Sequence, residues 1–153
     1  MLVVIVDEER YFAETVQAFL EIEGFEVQHF SDATTAFESL RGRKDIPAEF
    51  CMLVDVALAA GADREMFSEA RTEKYLTTGL VMIDELFARA PIWLKRTDSI
   101  VLYTAHYTTA LWDRISDFAN SRSLAVWQKR PNASGAEIVE LVRSRKRTVH
   151  QGV

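Results

Sequence analysis

Five short apolar runs alternate along the chain with longer segments whose apolar positions recur at helical spacing. The runs are LVVIV (2–6), FEVQHF (25–30), FCMLV (50–54), SIVLYT (99–104) and LAVW (124–127). Strands that are apolar on both faces belong in a parallel sheet covered by helices on each side. After the first run, YFAETVQAFLEIEG sets Phe12, Val16, Phe19, Leu20 and Ile22 at helical spacing and stops at Gly24. SDATTAFESLRG offers Ser31 and Asp32 as N-caps and stops near Gly42. TGLVMIDELFARA, HYTTALWDRISDFANS and ASGAEIVELVRSRKR supply the other helices, the last with Ser134 and Glu137 at capping-box spacing. Five βα units predict a doubly wound α/β sandwich, in which chemistry sits beyond the carboxyl ends of the strands.

One interval breaks the rhythm. From Asp55 to Thr104 the chain is far longer than the ~30 residues of a βαβ unit. The surplus is ALAAGADREMFSEARTEKYL (57–76), polar, charged and rich enough in helix formers for an extra turn or two. Such a segment beside a functional edge reads equally as a lid, a partner surface or disorder.

Composition narrows the function classes. The 153 residues are 48% hydrophobic, enough for one domain with a real core. A formal charge of -5 argues against direct nucleic-acid binding, which needs a basic face to displace counterions. The basic run RSRKR (143–147) reads as a solvated last helical turn, where cations favour the helix dipole. No apolar stretch approaches the ~20 residues that span a bilayer, and the N-terminus lacks the pattern of a signal peptide, so a soluble, cytoplasmic protein without membrane contact is expected. Cys51 is the one cysteine and sits in the apolar FCMLV, which reads as packing. No internal repeat or linker divides the chain.

The chemistry gathers where the strands end. The first delivers Asp7 and Glu8, the third Asp55, the fourth Thr104, the fifth Lys129 or Arg130. With the common strand order 2-1-3-4-5 these groups converge on one edge. Crowded carboxylates raise one another's pKa unless positive charge intervenes, and a hard ion such as Mg²⁺ takes oxygen ligands while keeping several waters. A metal there leaves Asp55 free to attack phosphorus, with the Thr104 hydroxyl and the Lys129 ammonium binding the other phosphoryl oxygens.

The acid pair at 7 and 8, Asp55 closing an apolar strand, Thr104 followed by Ala105, and a basic residue next to Pro131 together resemble the receiver domain of two-component response regulators, of the stand-alone type. The match covers roughly residues 2 to 145, with 57–76 outside it. The resemblance implies a flavodoxin-like fold of one unit over 1–147, followed by a tail at 148–153. It implies Mg²⁺ held by Asp7, Glu8, Asp55 and the backbone carbonyl of Ala57, and phosphorylation of Asp55 by a histidine kinase or phosphotransfer protein. Thr104 and the aromatic Trp127 are then the switch residues, and with no second domain after the fifth helix the output passes to a protein partner.

The pattern is not followed throughout. Aligned on Pro131, Arg130 faces the site and Trp127 takes the aromatic position; aligned on the lysine, both reverse. Lys129 is favoured as the compact charge, with Arg130 the alternative. The loop VALAAGAD after Asp55 departs from the family, and His106 is either a modulator of water access or an exposed residue without a role. Three rival readings remain. A haloacid-dehalogenase-like phosphatase needs a second acid two residues after its nucleophile, where this chain has Ala57. A flavin or nucleotide binder needs a glycine-rich turn after the first strand, where this chain has DEERYF. A phosphorylation-independent pseudo-receiver, acting as an interaction module, is the strongest alternative. The chain is expected to be a phosphoacceptor and no enzyme.

Overall fold

The computed structural model describes residues 1–43, 49–89, 99–105, 108–129 and 134–151, the side chains of 146–151 excepted. Within them, strand and helix alternate as β1 (Leu2–Val6), α1 (Arg10–Ile22), β2 (Glu26–Phe30), α2 (Ala33–Arg41), β3 (Phe50–Asp55), α3 (Thr78–Arg89), β4 (Ile100–Thr104), α4 (Thr109–Arg122), β5 (Ala125–Gln128) and α5 (Gly135–Gln151). The strands form one sheet in the order β2-β1-β3-β4-β5, every pair parallel. This is the flavodoxin-like arrangement that the alternation of runs predicts.

The sheet is apolar on both faces because both are covered. Val4, Val6, Met52, Val54 and Leu102 face α2, α3 and α4, while Val3, Ile5, Leu53, Val101 and Tyr103 face α1 and α5. Cys51 is buried among the second set, and burial pushes its thiol up to about 12, so it packs as an inert apolar group. Local signals explain where the helices begin and end. Asp32 caps α2 by accepting the Thr35 N–H at 2.7 Å, Thr108 caps α4 by accepting the Leu111 N–H at 3.2 Å, and the Ser134 hydroxyl accepts the Glu137 N–H at 3.3 Å. Gly24 takes the left-handed conformation at φ +88 beyond α1. α5 runs to Gln151, so the segment 148–153 set apart as a tail begins in helix.

The surplus segment is part of the core. Leu58, Ala60 and Phe67 are buried, as is Val56 just before them, and the Phe67 ring meets Phe37 of α2 edge-on at 6.5 Å. The carbonyls of Ala59 and Ala60 accept the N–H groups of Ala33 and Thr34, donors that the first turn of α2 cannot satisfy itself. Arg71 pairs with Glu85 of α3 at 2.8 Å, and both guanidinium nitrogens of Arg114 on α4 contact Glu73. The chain therefore returns to β3 under tight restraint, and Gly79 is where that restraint is narrowest. A Cβ there would lie 2.4 Å from the carbonyl oxygen of Asp55, and the Gly79 N–H donates to the Val56 carbonyl at 2.9 Å.

Candidate functional site

β1, β3, β4 and β5 lie side by side, so their carboxyl ends put Asp7, Asp55, Thr104 and Lys129 at one edge of the sheet. All four are buried: Asp7 and Thr104 are 0% exposed, Lys129 5% and Asp55 8%. Such groups are costly inside a protein unless they satisfy one another. Asp7 is held most tightly. One carboxylate oxygen accepts the Glu9 N–H at 2.8 Å; the other accepts the Tyr103 hydroxyl at 2.7 Å and the Lys129 ammonium at 3.1 Å. Its backbone carbonyl is 2.8 Å from Nε2 of His29 on β2.

Asp55 has a poorer set of partners. It accepts the Ala57 N–H at 3.2 Å, and burial, followed by the charge of Asp7, pushes its carboxyl up to about 8, with a hydrogen bond between the two carboxyls adding to the rise. Lys129 and the Ala57 N–H oppose that shift without cancelling it. Burial pulls the Lys129 ammonium down, but its hydrogen bond to Glu9 and the charges of Asp7 and Asp55 outweigh burial and leave it raised. Tyr103 is held well above the usual phenol range, by burial first and then by Asp7. The surroundings therefore favour the protonated form of Asp55 and the charged form of Lys129.

Of the two basic candidates, Lys129 is the one whose contacts the structure describes, and it stands at this edge. Lys129 follows the β5 residue paired with Thr104, its N–H donates to the Thr104 carbonyl at 3.2 Å, and its ammonium reaches Asp7. Arg130, Pro131 and His106 lie outside the described residues. Trp127, two residues earlier, lies on the same face of the strand as Lys129. It packs edge-on against Tyr103 at 6.1 Å, on the side of the sheet covered by α1 and α5.

Asp7 and Asp55 come together as the sequence predicts, with the Ala57 backbone beside Asp55. Glu8 is exposed at the turn into α1, and among the described residues no three acidic, histidine or cysteine side chains form a ready metal cage. Two adjacent buried carboxyls, one of them pushed up by burial and then by the charge of the other, are hard-oxygen donors short of positive charge. That chemistry fits Mg²⁺. Two further residues touch the site, Glu9, the third acid of the run that ends β1, and Tyr103, to which sequence reasoning assigned no role. A phenol in the otherwise aliphatic β4 is the signal for Tyr103, because a buried tyrosine hydroxyl usually finds a partner.

No model of a known protein family matches the chain, and no curated protein matches it. Solved structures do. A response regulator receiver domain protein (CheY-like) from Methanospirillum hungatei superposes with a TM-score of 0.67 at 15% identity, over 99% of this chain and 98% of that one. The signal receiver domain of a putative Luxo repressor protein from Vibrio parahaemolyticus gives 0.62 at 13% identity, over 99% and 93%. The receiver domain of a Francisella response regulator gives 0.63 at 15%, over 96% and 98%. With β2-β1-β3-β4-β5 as its sheet and helices on both faces, the chain has the receiver-domain, CheY-like fold.

Proposed function

We propose that the chain is a phosphoacceptor signalling switch in which Asp55 takes a phosphoryl group from a histidine kinase or phosphotransfer protein. The observation that carries this reading is the convergence of Asp7, Asp55, Thr104 and Lys129, all buried, at one edge of the sheet. An Asp55 oxygen attacks phosphorus, and the O–P bond forms as the bond from phosphorus to the donor's histidine nitrogen breaks, its electron pair leaving on the imidazole. Attack requires the carboxylate, yet burial and then Asp7 push the Asp55 carboxyl up to about 8. Asp7, Asp55 and the Ala57 carbonyl, with Glu8 from the adjoining turn, would hold Mg²⁺. When bound, the ion supplies the charge that draws Asp55 into its anionic form and neutralises phosphoryl oxygens. Thr104 and Lys129 then bind the oxygens that the acids leave exposed.

A phosphoryl group adds up to two negative charges and new acceptor oxygens at this edge, which biases Thr104, Lys129 and the partner-binding face beyond them. On this reading the chain acts stoichiometrically rather than as an enzyme, works in the cytoplasm, and contacts proteins rather than nucleic acid or membrane. Among the described residues no helix is long and apolar enough to cross a membrane.

A second reading, a phosphorylation-independent interaction module, is favoured by one observation: Asp7 already has three donors, from Glu9, Tyr103 and Lys129. Tryptophan fluorescence separates the two, since Trp127 touches Tyr103 and Tyr103 touches Asp7. Mg²⁺ with acetyl phosphate or beryllofluoride should change the emission, and Asp55→Asn should abolish the change. A full response in Asp55→Asn overturns the phosphoacceptor assignment.

A further inference from the structure

We propose that Glu9 is a positioning residue that clasps the Lys129 ammonium, and that an incoming phosphoryl group takes the lysine from Glu9 and leaves Asp7 in place. The proposal rests on the phosphoacceptor reading and adds to it the contact that must break.

The Lys129 ammonium is enclosed on several sides. It contacts a carboxylate oxygen of Glu9, lies 3.1 Å from Asp7, and sits over the Phe12 ring at 4.1 Å and near the Tyr103 ring at 5.6 Å. Among the described residues, its carboxylate contacts Asp7 and Glu9 differ sharply in freedom. The Asp7 side chain is 0% exposed and is pinned by the Glu9 N–H and the Tyr103 hydroxyl. Glu9 is 57% exposed, so its carboxylate is rehydrated on release while that of Asp7 is not. Burial decides which partner yields.

Glu9 also gives up a local alternative to make this contact. It stands at the N-cap of α1 with extended backbone, where a side-chain oxygen ordinarily accepts an N–H from the first turn, and it makes no such bond. Its own N–H fixes Asp7 while its carboxylate fixes Lys129, so one residue orients both charges of the edge. A phosphoryl group on Asp55, with up to two charges, outcompetes a half-exposed monoanion for the ammonium.

Two measurements on the full chain test this. In the first, Lys129 is labelled with an amine-specific acetylating reagent without Mg²⁺, read by peptide mass spectrometry and normalised to exposed Lys74. Glu9→Gln should raise Lys129 labelling, and Glu14→Gln, which removes a charge from the exposed Arg10–Glu14 pair on the same helix, should not. In the second, beryllofluoride is titrated in Mg²⁺ and followed by tryptophan emission. Glu9→Gln should lower the midpoint about threefold to fivefold, the scale of a partly exposed ion pair, with Glu9→Asp between it and wild type. Unchanged Lys129 labelling overturns the clasp whatever the phosphoryl chemistry. A wild-type response whose midpoint is the same in Glu9→Gln overturns the exchange alone, whereas no wild-type response overturns the exchange and the phosphoacceptor reading together.

Discussion

Asp55 carries the clearest residue-scale prediction, because its carboxyl is raised from 3.8 to about 8. A raised folded-state value means that the stability tied to the bound proton is complete below about pH 4 and is lost as pH climbs through about 8. Without divalent ion, wild type should therefore lose stability over that window relative to Asp55→Asn. By pH 9 the deficit should reach the order of 1–3 kcal/mol, the cost of a buried group with incomplete partners. Urea unfolding from pH 5 to pH 9 measures it, and parallel stability profiles would count against the buried acid pair. Mg²⁺ at a hundred times its dissociation constant should restore about 2.7 kcal/mol to wild type at high pH and far less to Asp55→Asn. At this scale the sequence was legible where a strand end fixes a side chain, as at Asp7, Asp55 and Thr104. The contacts of Glu9 with Lys129 and of Tyr103 with Asp7 were not legible, since they join residues up to 120 positions apart.

The elements themselves follow from local rules, and their terminal signals hold at Asp32, Ser134 and Gly24. The return from β3 to α3 does not. It includes three successive residues in the left-handed region, Glu73, Lys74 and Tyr75 at φ 53, 59 and 68, although none is glycine. That conformation costs roughly 1–2 kcal/mol per residue. It is offset by the Lys74 N–H to the Glu69 carbonyl at 2.8 Å, the Tyr75 N–H to the Thr72 hydroxyl at 3.0 Å, and the Glu73 contacts with Arg114. No sequence pattern announces such a turn, because it is stabilised from α4. The same return makes Gly79 sensitive. Gly79→Ala places a methyl group against the Asp55 carbonyl and should cost about 1–3 kcal/mol, since backbone must move to admit it. Because that backbone carries Asp55, the beryllofluoride midpoint should weaken in the same variant. A Gly79→Ala chain as stable as wild type, by denaturant midpoint, would show that the contact has slack.

For the whole molecule, the question is whether residues 57–76 are an attachment or a structural layer. Phe67 is fully buried against Phe37, so Phe67→Ala should cost about 3–5 kcal/mol, with a lower denaturant midpoint and little change in slope. A loss below about 1 kcal/mol would make the segment peripheral. The three sequence readings of this stretch all set it outside the core, because its charged residues mask buried apolar ones, Leu58, Ala60 and Phe67. The sequence by itself determined the alternation of strand and helix, the parallel sheet with both faces covered, and the strand ends at which chemistry would stand, because apolar period and strand termination are local properties of the chain. Only the tertiary structure decided that Lys129 faces Asp7, that Trp127 packs on Tyr103 beside α1 and α5, and that residues 57–76 close over α2, α3 and α4. Those outcomes depend on β-strand register and on contacts between residues far apart in sequence, whose energies exist only once the sheet has brought them together.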